Sequence, residues 1–191
     1  LRSYHLFLLS TVVEHLSTNT EFVFSYRKNS RTVDAVKKHA KSKYFFKTDL
    51  KRFFSSIDDE LVRETILASV ERLPFHISSG LLEHIVHLLT FGGSLPTGFA
   101  TSPGISNACL YKFDEAFGGF CANRGLTYTR YSDDIIVSGN DLSLVRFGSF
   151  MIEDLLQRLY GPRFLANAEK SRFLHRGKKV SLLGLIVLPN G

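Results

Sequence analysis

Tryptophan is absent from the 191 residues, and cysteine occurs only twice, at Cys109 and Cys121. The two form no close pair and have no histidines at metal-ligand spacing, so the pattern suits a reducing, cytoplasmic compartment. Long apolar runs are also missing. The best candidate, Leu6 to Val13, is broken by Glu14 and His15 before any small-residue cleavage site, which makes it neither a signal peptide nor a membrane span. No internal repeat, low-complexity tract or linker divides the chain. Its first residue is Leu rather than Met, which reads as a fragment whose natural ends lie elsewhere.

What is present is a basic, aromatic-rich sequence. Lys and Arg number 24 against 18 Asp and Glu, a net charge of +6, and 17 Phe with 7 Tyr supply rings for core packing or base stacking. The charge suits a polyanionic partner, although solubility alone also accounts for it. The length suffices for one sizeable domain with a full core.

Apolar periodicity predicts helices over 4–17 (Leu6, Leu9, Val13 and Leu16 on one stripe), from Ser30 as N-cap to Lys41, from Asp58 or Asp59 to Leu73, and over 79–91. Further helices are expected over 103–117, with Ser102 as N-cap, Pro103 first and Gly118-Gly119 as the stop, and over 142–160. Strand-like runs are Glu21 to Tyr26, Tyr44 to Thr48, the two arms around Ser132-Asp133, and Val180 to Leu188; residues 163–172 read as a polar link or strand. Strands alternate irregularly with helices, which favours an α+β fold with an antiparallel sheet backed by helices over a doubly wound parallel sheet. Lys37, Lys38, Lys41 and Lys43 form a basic stretch that, on the residues alone, reads first as a solvated face.

Two carboxylate sites stand out. Asp49 closes one strand, and Asp133-Asp134 sits where a hairpin should turn. An Asp-Asp turn is ordinarily just a solvated turn. If the two strands were neighbours, however, the acids would converge, and carboxylates crowd together at neutral pH only around a cation. Mg²⁺ takes a few carboxylates, its own waters and substrate phosphates.

The stretch from Phe45 to Ile57, Phe-Phe-Lys-Thr-Asp-Leu-Lys-Arg-Phe-Phe-Ser-Ser-Ile, resembles the first catalytic motif of reverse transcriptases, most closely the bacterial kind of retrons, group II introns and phage-defence systems. Leu95-Pro96-Thr97-Gly98 is similar to the family's nucleotide-contacting loop, Tyr128 to Asp134 to its Tyr-x-Asp-Asp hairpin, Asn167 to Arg172 to its lysine motif, and Leu183-Gly184-Leu185 to the strand that grips the primer. The order of the five motifs matches the family's across residues 22–188.

The resemblance implies a polymerase palm with partial fingers: fingers over about 1–48, palm over 49–191, and a fingers-like helical insertion around 58–93. It implies RNA-directed DNA polymerase activity, with two Mg²⁺ ions (Mn²⁺ as a substitute) held by Asp49, Asp133, Asp134 and the backbone carbonyl of Leu50. Lys170 takes the place of a lysine proposed to protonate pyrophosphate, and Phe54 that of the ring that blocks a ribose 2′-hydroxyl; Phe53 reads as core. Arg27, Lys28 and Arg31 fall in the segment that holds the dNTP triphosphate, with Thr97 and Gly98 beside the nucleotide. The implied partners are an RNA template, a DNA or RNA primer and dNTPs, together with a dedicated non-coding RNA and an effector protein, and no membrane. Two departures stand out. Thr97 replaces the usual Gln and cannot make its amide contact, and the family continues into a helical thumb where this chain stops at Gly191. A non-catalytic RNA-binding scaffold, or template-independent or protein-primed synthesis, are the alternatives.

Overall fold

A computed structural model describes residues 2–187. The helices are α1 (Arg2–Thr11), α2 (Thr32–Lys38), α3 (Asp59–Leu67), α4 (Ser79–Leu89), α5 (Ser102–Cys109), α6 (Tyr111–Ala122) and α7 (Leu142–Tyr160). The strands are β1 (Tyr44–Asp49), β2 (Thr127–Tyr131), β3 (Asp134–Gly139), β4 (Arg172–His175), β5 (Val180–Leu182) and β6 (Leu185–Val187). Two compact units emerge. One takes the residues up to Thr18 and Arg52–Tyr111, and the other takes Asn19–Lys51 and the residues from Lys112 on.

The second unit is built on an antiparallel sheet of order β2-β3-β1-β4. β1 lies inside it, which its sequence explains: Phe45 and Phe46 are both buried, so each face of the strand has a core to meet. α7 packs along β1 and β3, burying Val145, Gly148, Ile152, Leu156 and Tyr160. Its bounds agree with the periodicity, and Asp141 caps it by accepting from the Ser143 and Leu144 amides at 2.7 and 3.2 Å. The buried stripe lies one position on from Met151, Leu155 and Leu159. Below β1 a small cluster joins Val36 of α2, Phe45, Ile136, Val180 and Leu182.

The first unit gathers α1, α3, α4 and α5. Asp58 caps α3, its carboxylate accepting the Leu61 amide at 2.8 Å. That helix stops at Leu67, short of Leu73, and a 3-10 turn over Val70–Arg72 carries the chain onward. α1 ends at Thr11, short of residue 17, and buries His5 and Leu8 while Leu6 is exposed; Val13 and Leu16 of the predicted stripe are buried beyond its end.

Several other expectations are corrected. Residues 21–26 form no strand, only a single bridge from Val23 to Arg130. Ser30 does not cap α2, because its hydroxyl donates to the Phe24 carbonyl at 2.7 Å; the Asp34 carboxylate instead accepts the Arg31 amide at 3.0 Å. Ser102 is likewise engaged elsewhere, donating to Pro96 O at 2.7 Å from inside α5. The single helix expected over 103–117 is two, broken at Leu110, and Gly118-Gly119 does not end the second. A Cβ at Gly118 would stand 2.0 Å from the Phe22 ring, so this glycine admits a close neighbour rather than a turn.

The final strand is also divided. β5 and β6 form a hairpin whose two-residue turn is Leu183-Gly184, at φ +49 and +80. Two positive φ values belong to the tight primed turns. The predicted primer-gripping segment is therefore a hairpin tip, and Leu188 lies outside the described residues.

Candidate active site

The carboxylates meet because of strand register. β1 and β3 run antiparallel with Asp49 directly opposite Asp134, and directly opposed residues share a face of the sheet. Asp133 occupies the turn between β2 and β3, preceded by Ser132 at φ +59. Its backbone carbonyl accepts the Leu50 amide at 3.2 Å, which ties the turn to the end of β1. Asp49, Leu50, Asp133 and Asp134 thus gather at one end of the sheet, as the sequence suggested.

Lys170 joins them. Asn167 donates its amide to the Asp49 carbonyl at 2.8 Å, the Lys170 amide closes a turn onto Asn167 O at 3.0 Å, and the Ser171 hydroxyl meets that of Thr48 at 2.8 Å. These ties deliver the Lys170 ammonium to Asp49 Oδ2 at 2.6 Å. The hydrogen bond donated to Asp49, then the Asp49 charge and those of Asp133 and Asp134, hold the lysine above its ordinary pKa. The other oxygen, Asp49 Oδ1, is buried with no hydrogen-bond partner. Asp134 is pushed up to about 6, first by burial and then by the Asp133 and Asp49 charges.

A cavity of about 490 Å³ opens on this edge, its lining including Lys47, Asp49, Asp134, Lys170, Leu183 and Gly184. An orphaned buried carboxylate oxygen beside two more acids is a donor set that fits a hard cation. Among the described residues no group of three or more His, Cys, Asp or Glu side chains is placed to hold a metal ion by itself. That is compatible with an ion completed by water and substrate phosphates.

The turn is buttressed from behind by groups that sequence reading did not single out. Arg130 is fully buried; its Nε and Nη2 clasp Asp114 at 2.8 and 2.6 Å, and its Nη1 donates to the Ser132 carbonyl at 2.9 Å. Burial alone would lower the Arg130 pKa, but the Asp114 carboxylate more than reverses that and holds it above the ordinary value. Tyr128 donates a third hydrogen bond to Asp114 at 2.7 Å. The Ser132 amide donates to Ser25 Oγ at 2.8 Å, and Tyr26 Oη lies 3.0 Å from Ser132 Oγ. The one available signal was the alternation of Tyr128 and Arg130, which places both on one face of β2.

Of the other predicted residues, Arg27 turns back on its own loop, donating to the carbonyls of Thr20 at 2.8 Å and of Val23. Arg31 pairs with Asp34 at 3.2 Å, and Lys28 is exposed on the same loop. The contacts of Ser25 and Tyr26 with Ser132 set that loop against the turn. Phe54, Thr97 and Gly98 belong to the first unit. There Phe53 is buried and Phe54 half-buried, ring centroids 5.4 Å apart. The Thr97-Gly98 loop is anchored by the Leu95 amide on Ile57 O at 2.8 Å. Gly98, at φ +106, has nothing within 4 Å of a built Cβ, so its backbone rather than its packing requires glycine.

The family described as Reverse transcriptase (RNA-dependent DNA polymerase) matches residues 7–187. The chain belongs to the reverse transcriptase family. Among curated relatives of this reverse transcriptase-family chain, the retron Ec83 reverse transcriptase of Escherichia coli is 25% identical over 190 residues, covering 94% of this chain and 60% of the relative. The retron Ec73 reverse transcriptase of the same organism is 31% identical, covering 88% and 55%. The retron Mx65 reverse transcriptase of Myxococcus xanthus is 29% identical, covering 78% and 37%. The chain thus spans about 60% or less of the length of these relatives. Apo telomerase from Candida tropicalis truncated from its C-terminal domain shares the fold, at a TM-score of 0.66 and 15% identity, over 99% of this chain and 44% of that one. The mixed helical and antiparallel-sheet architecture expected of a polymerase palm is therefore present. Among the described residues no helix is long and apolar enough to cross a membrane.

Proposed function

We propose that this chain carries the catalytic centre of an RNA-directed DNA polymerase that extends a primer 3′-hydroxyl with dNTPs on an RNA template. The observation that carries the reading is the register pairing of Asp49 with Asp134, with Asp133 in the adjoining turn and Lys170 on Asp49, in a chain of the reverse transcriptase family. Asp49, Asp133 and Asp134, with the Leu50 carbonyl, would hold two Mg²⁺ ions or Mn²⁺ in their place. When bound, those ions supply charge neutralisation for in-line phosphoryl transfer.

The protein's own part is positioning. The sheet ladder and the Arg130 brace hold the carboxylates before substrate arrives, so little reorganisation accompanies the reaction. Lys170 is paired with Asp49. With its pKa raised it stays protonated at neutral pH, so once freed from Asp49 it has a proton to give the departing pyrophosphate. Arg27, Lys28 and Arg31 offer positive charge to the triphosphate from the loop beside the turn. Phe54 would exclude a 2′-hydroxyl, Thr97 and Gly98 would flank the nucleotide, and the Leu183-Gly184-Leu185 tip would meet the primer. The retron names of the relatives favour a dedicated structured RNA as template, with an effector protein as partner in defence. Cys109 and Cys121, both buried thiols outside any disulfide, suit a reducing cytoplasm.

Primer extension by the full-length protein with Mg²⁺, dNTPs and an RNA template tests the reading. Asp49→Asn or Asp133→Ala should abolish incorporation, and Phe54→Ala should admit ribonucleotides. Incorporation unchanged by either acid substitution overturns the polymerase site, and unchanged sugar discrimination in Phe54→Ala removes the gate.

A further inference from the structure

The positive charge of the chain is not spread over it. Residues 35–48 hold five lysines and no acid, and residues 172–181 hold four Lys and Arg and no acid. Those nine cations exceed the net charge of +6, so everything outside the two segments is net negative, with fifteen cations against eighteen acids. The segments lie about 130 residues apart in sequence, yet β1 pairs with β4, Tyr44 opposite His175 and Lys47 opposite Arg172. Just beyond the ladder, the Arg176 amide donates to the Lys43 carbonyl at 3.0 Å, and the Lys178 amide closes the next turn onto His175 O at 3.1 Å. Folding therefore fuses two basic segments at the end of β1 where the strand begins.

Six of these lysines are exposed: Lys37, Lys38, Lys41, Lys43, Lys178 and Lys179. Of the acids flanking the patch, Asp34 is paired with Arg31, and Asp141, next to the Asn140 side chain that accepts the Lys43 amide, caps α7. The carboxylate end lies five residues along β1, roughly 17 Å away at the ordinary rise per residue. Clustered like charges with no acid among them repel one another and raise the energy of the free protein. A polyanion relieves that repulsion and releases its own condensed counterions on binding.

We propose that these six lysines form a second RNA-binding surface, which takes backbone phosphates at the end of the sheet opposite the carboxylates. The inference rests on the polymerase reading for its choice of RNA as the polyanion. Lysine ammoniums are point charges without the planar fork of arginine, so the surface grips phosphates and does not read bases. Its role is to hold a folded RNA on the protein while the primer end is worked on elsewhere. α2, with seven residues, is too short to lie in a membrane interface as an amphipathic anchor.

The test compares the full-length protein with Lys41→Gln, Lys43→Gln, Lys178→Gln and Lys179→Gln combined. Fluorescence anisotropy follows a labelled RNA stem-loop of arbitrary sequence across a salt series, without nucleotides. The slope of log affinity against log salt should fall by about 3, at roughly 0.7–0.9 per phosphate contact, and affinity at 0.1 M salt by about 100-fold or more. A control neutralises as many charges on other elements (Lys112, Arg124, Arg146 and Arg158) and should leave the slope near that of the parent. Thermal melts of both variants should match the parent.

An unchanged slope in the first variant overturns the inference, as does an equal loss in the control, which would reduce the effect to net charge. Phosphatidylserine vesicles serve as a further arm. Vesicle binding lost in the first variant while RNA binding persists overturns it too. Because binding is read without nucleotides, a protein that shows the slope change but incorporates nothing refutes the polymerase reading alone. A protein that polymerises with an unchanged slope refutes this inference alone.

Discussion

Replacing Asp114 with Ala is expected to be among the most damaging single changes in the second unit. Asp114 and Arg130 are both fully buried, and the carboxylate accepts two hydrogen bonds from the guanidinium and one from Tyr128. Such a pair contributes little net stability compared with apolar residues of similar volume, because desolvation cancels most of the attraction. Removing one partner is different, since it strands a guanidinium that cannot deprotonate; losses of about 3–5 kcal/mol are typical. With a urea m-value of about 2 kcal/mol/M, the midpoint should fall by roughly 1.5–2.5 M. The double variant Asp114→Leu with Arg130→Met removes both charges. It leaves Tyr128 Oη and the Ser132 carbonyl short of a partner, at about 1 kcal/mol each, but no stranded charge, so it should be more stable than Asp114→Ala. Equilibrium urea unfolding of the three proteins is the assay. A midpoint shift under about 0.5 M for Asp114→Ala, or a double variant less stable than the single, would refute the argument that the pair is locked by mutual desolvation.

Two further outcomes concern pH. Asp134 has a folded pKa near 6, above its ordinary value, so it binds its proton more tightly when folded and withdraws stability as pH rises from about 4 through 6. Asp134→Asn should therefore be more stable than the parent at pH 7–8, by a margin that vanishes below pH 4 in thermal melts; a margin independent of pH would contradict the assignment. His39 is the opposite case. It is buried between Ser138 (Nδ1 to Oγ 2.6 Å) and Thr129 (Nε2 to Oγ1 2.8 Å), and burial lowers it to about 3. The unfolded chain then takes up a proton that the folded one refuses. Stability should drop by on the order of 1 kcal/mol for each pH unit below 6.5, and His39→Gln should flatten that limb of the profile.

The parts of the fold legible in sequence were those with a strong local signal. α7 carries a cap, a long stripe and a glycine stop, and the β2–β3 hairpin brackets its turn with β-branched and aromatic arms. Asp49 could be placed at a strand end, but its meeting with Asp134 depends on a pairing between distant segments that no local pattern specifies. The division of Val180 to Leu188 was hidden because Leu183 takes a left-handed turn conformation usually reserved for Gly or Asn. β4 escaped because Arg172 to His175 is an edge strand of four residues, largely exposed, with no alternation to betray it. Arg130 was overlooked as a site residue since a charged strand residue normally faces water; only the distant Asp114 makes its burial tolerable.

β1 lies between two neighbours that both come much later in the chain, and this bears on how the protein is made. Asp49 and Asp134 are separated by 85 positions. At a ribosomal pace of about 5–20 residues per second, roughly 4–17 s pass between the two emerging. β2 and β3 can zip together within about 1–10 μs of appearing, but β1 must wait unpaired for them, with Phe45 and Phe46 uncovered. That interval is when the nascent chain is most open to chaperone capture or mispairing, and the same strand that later holds the first carboxylate is its most vulnerable segment.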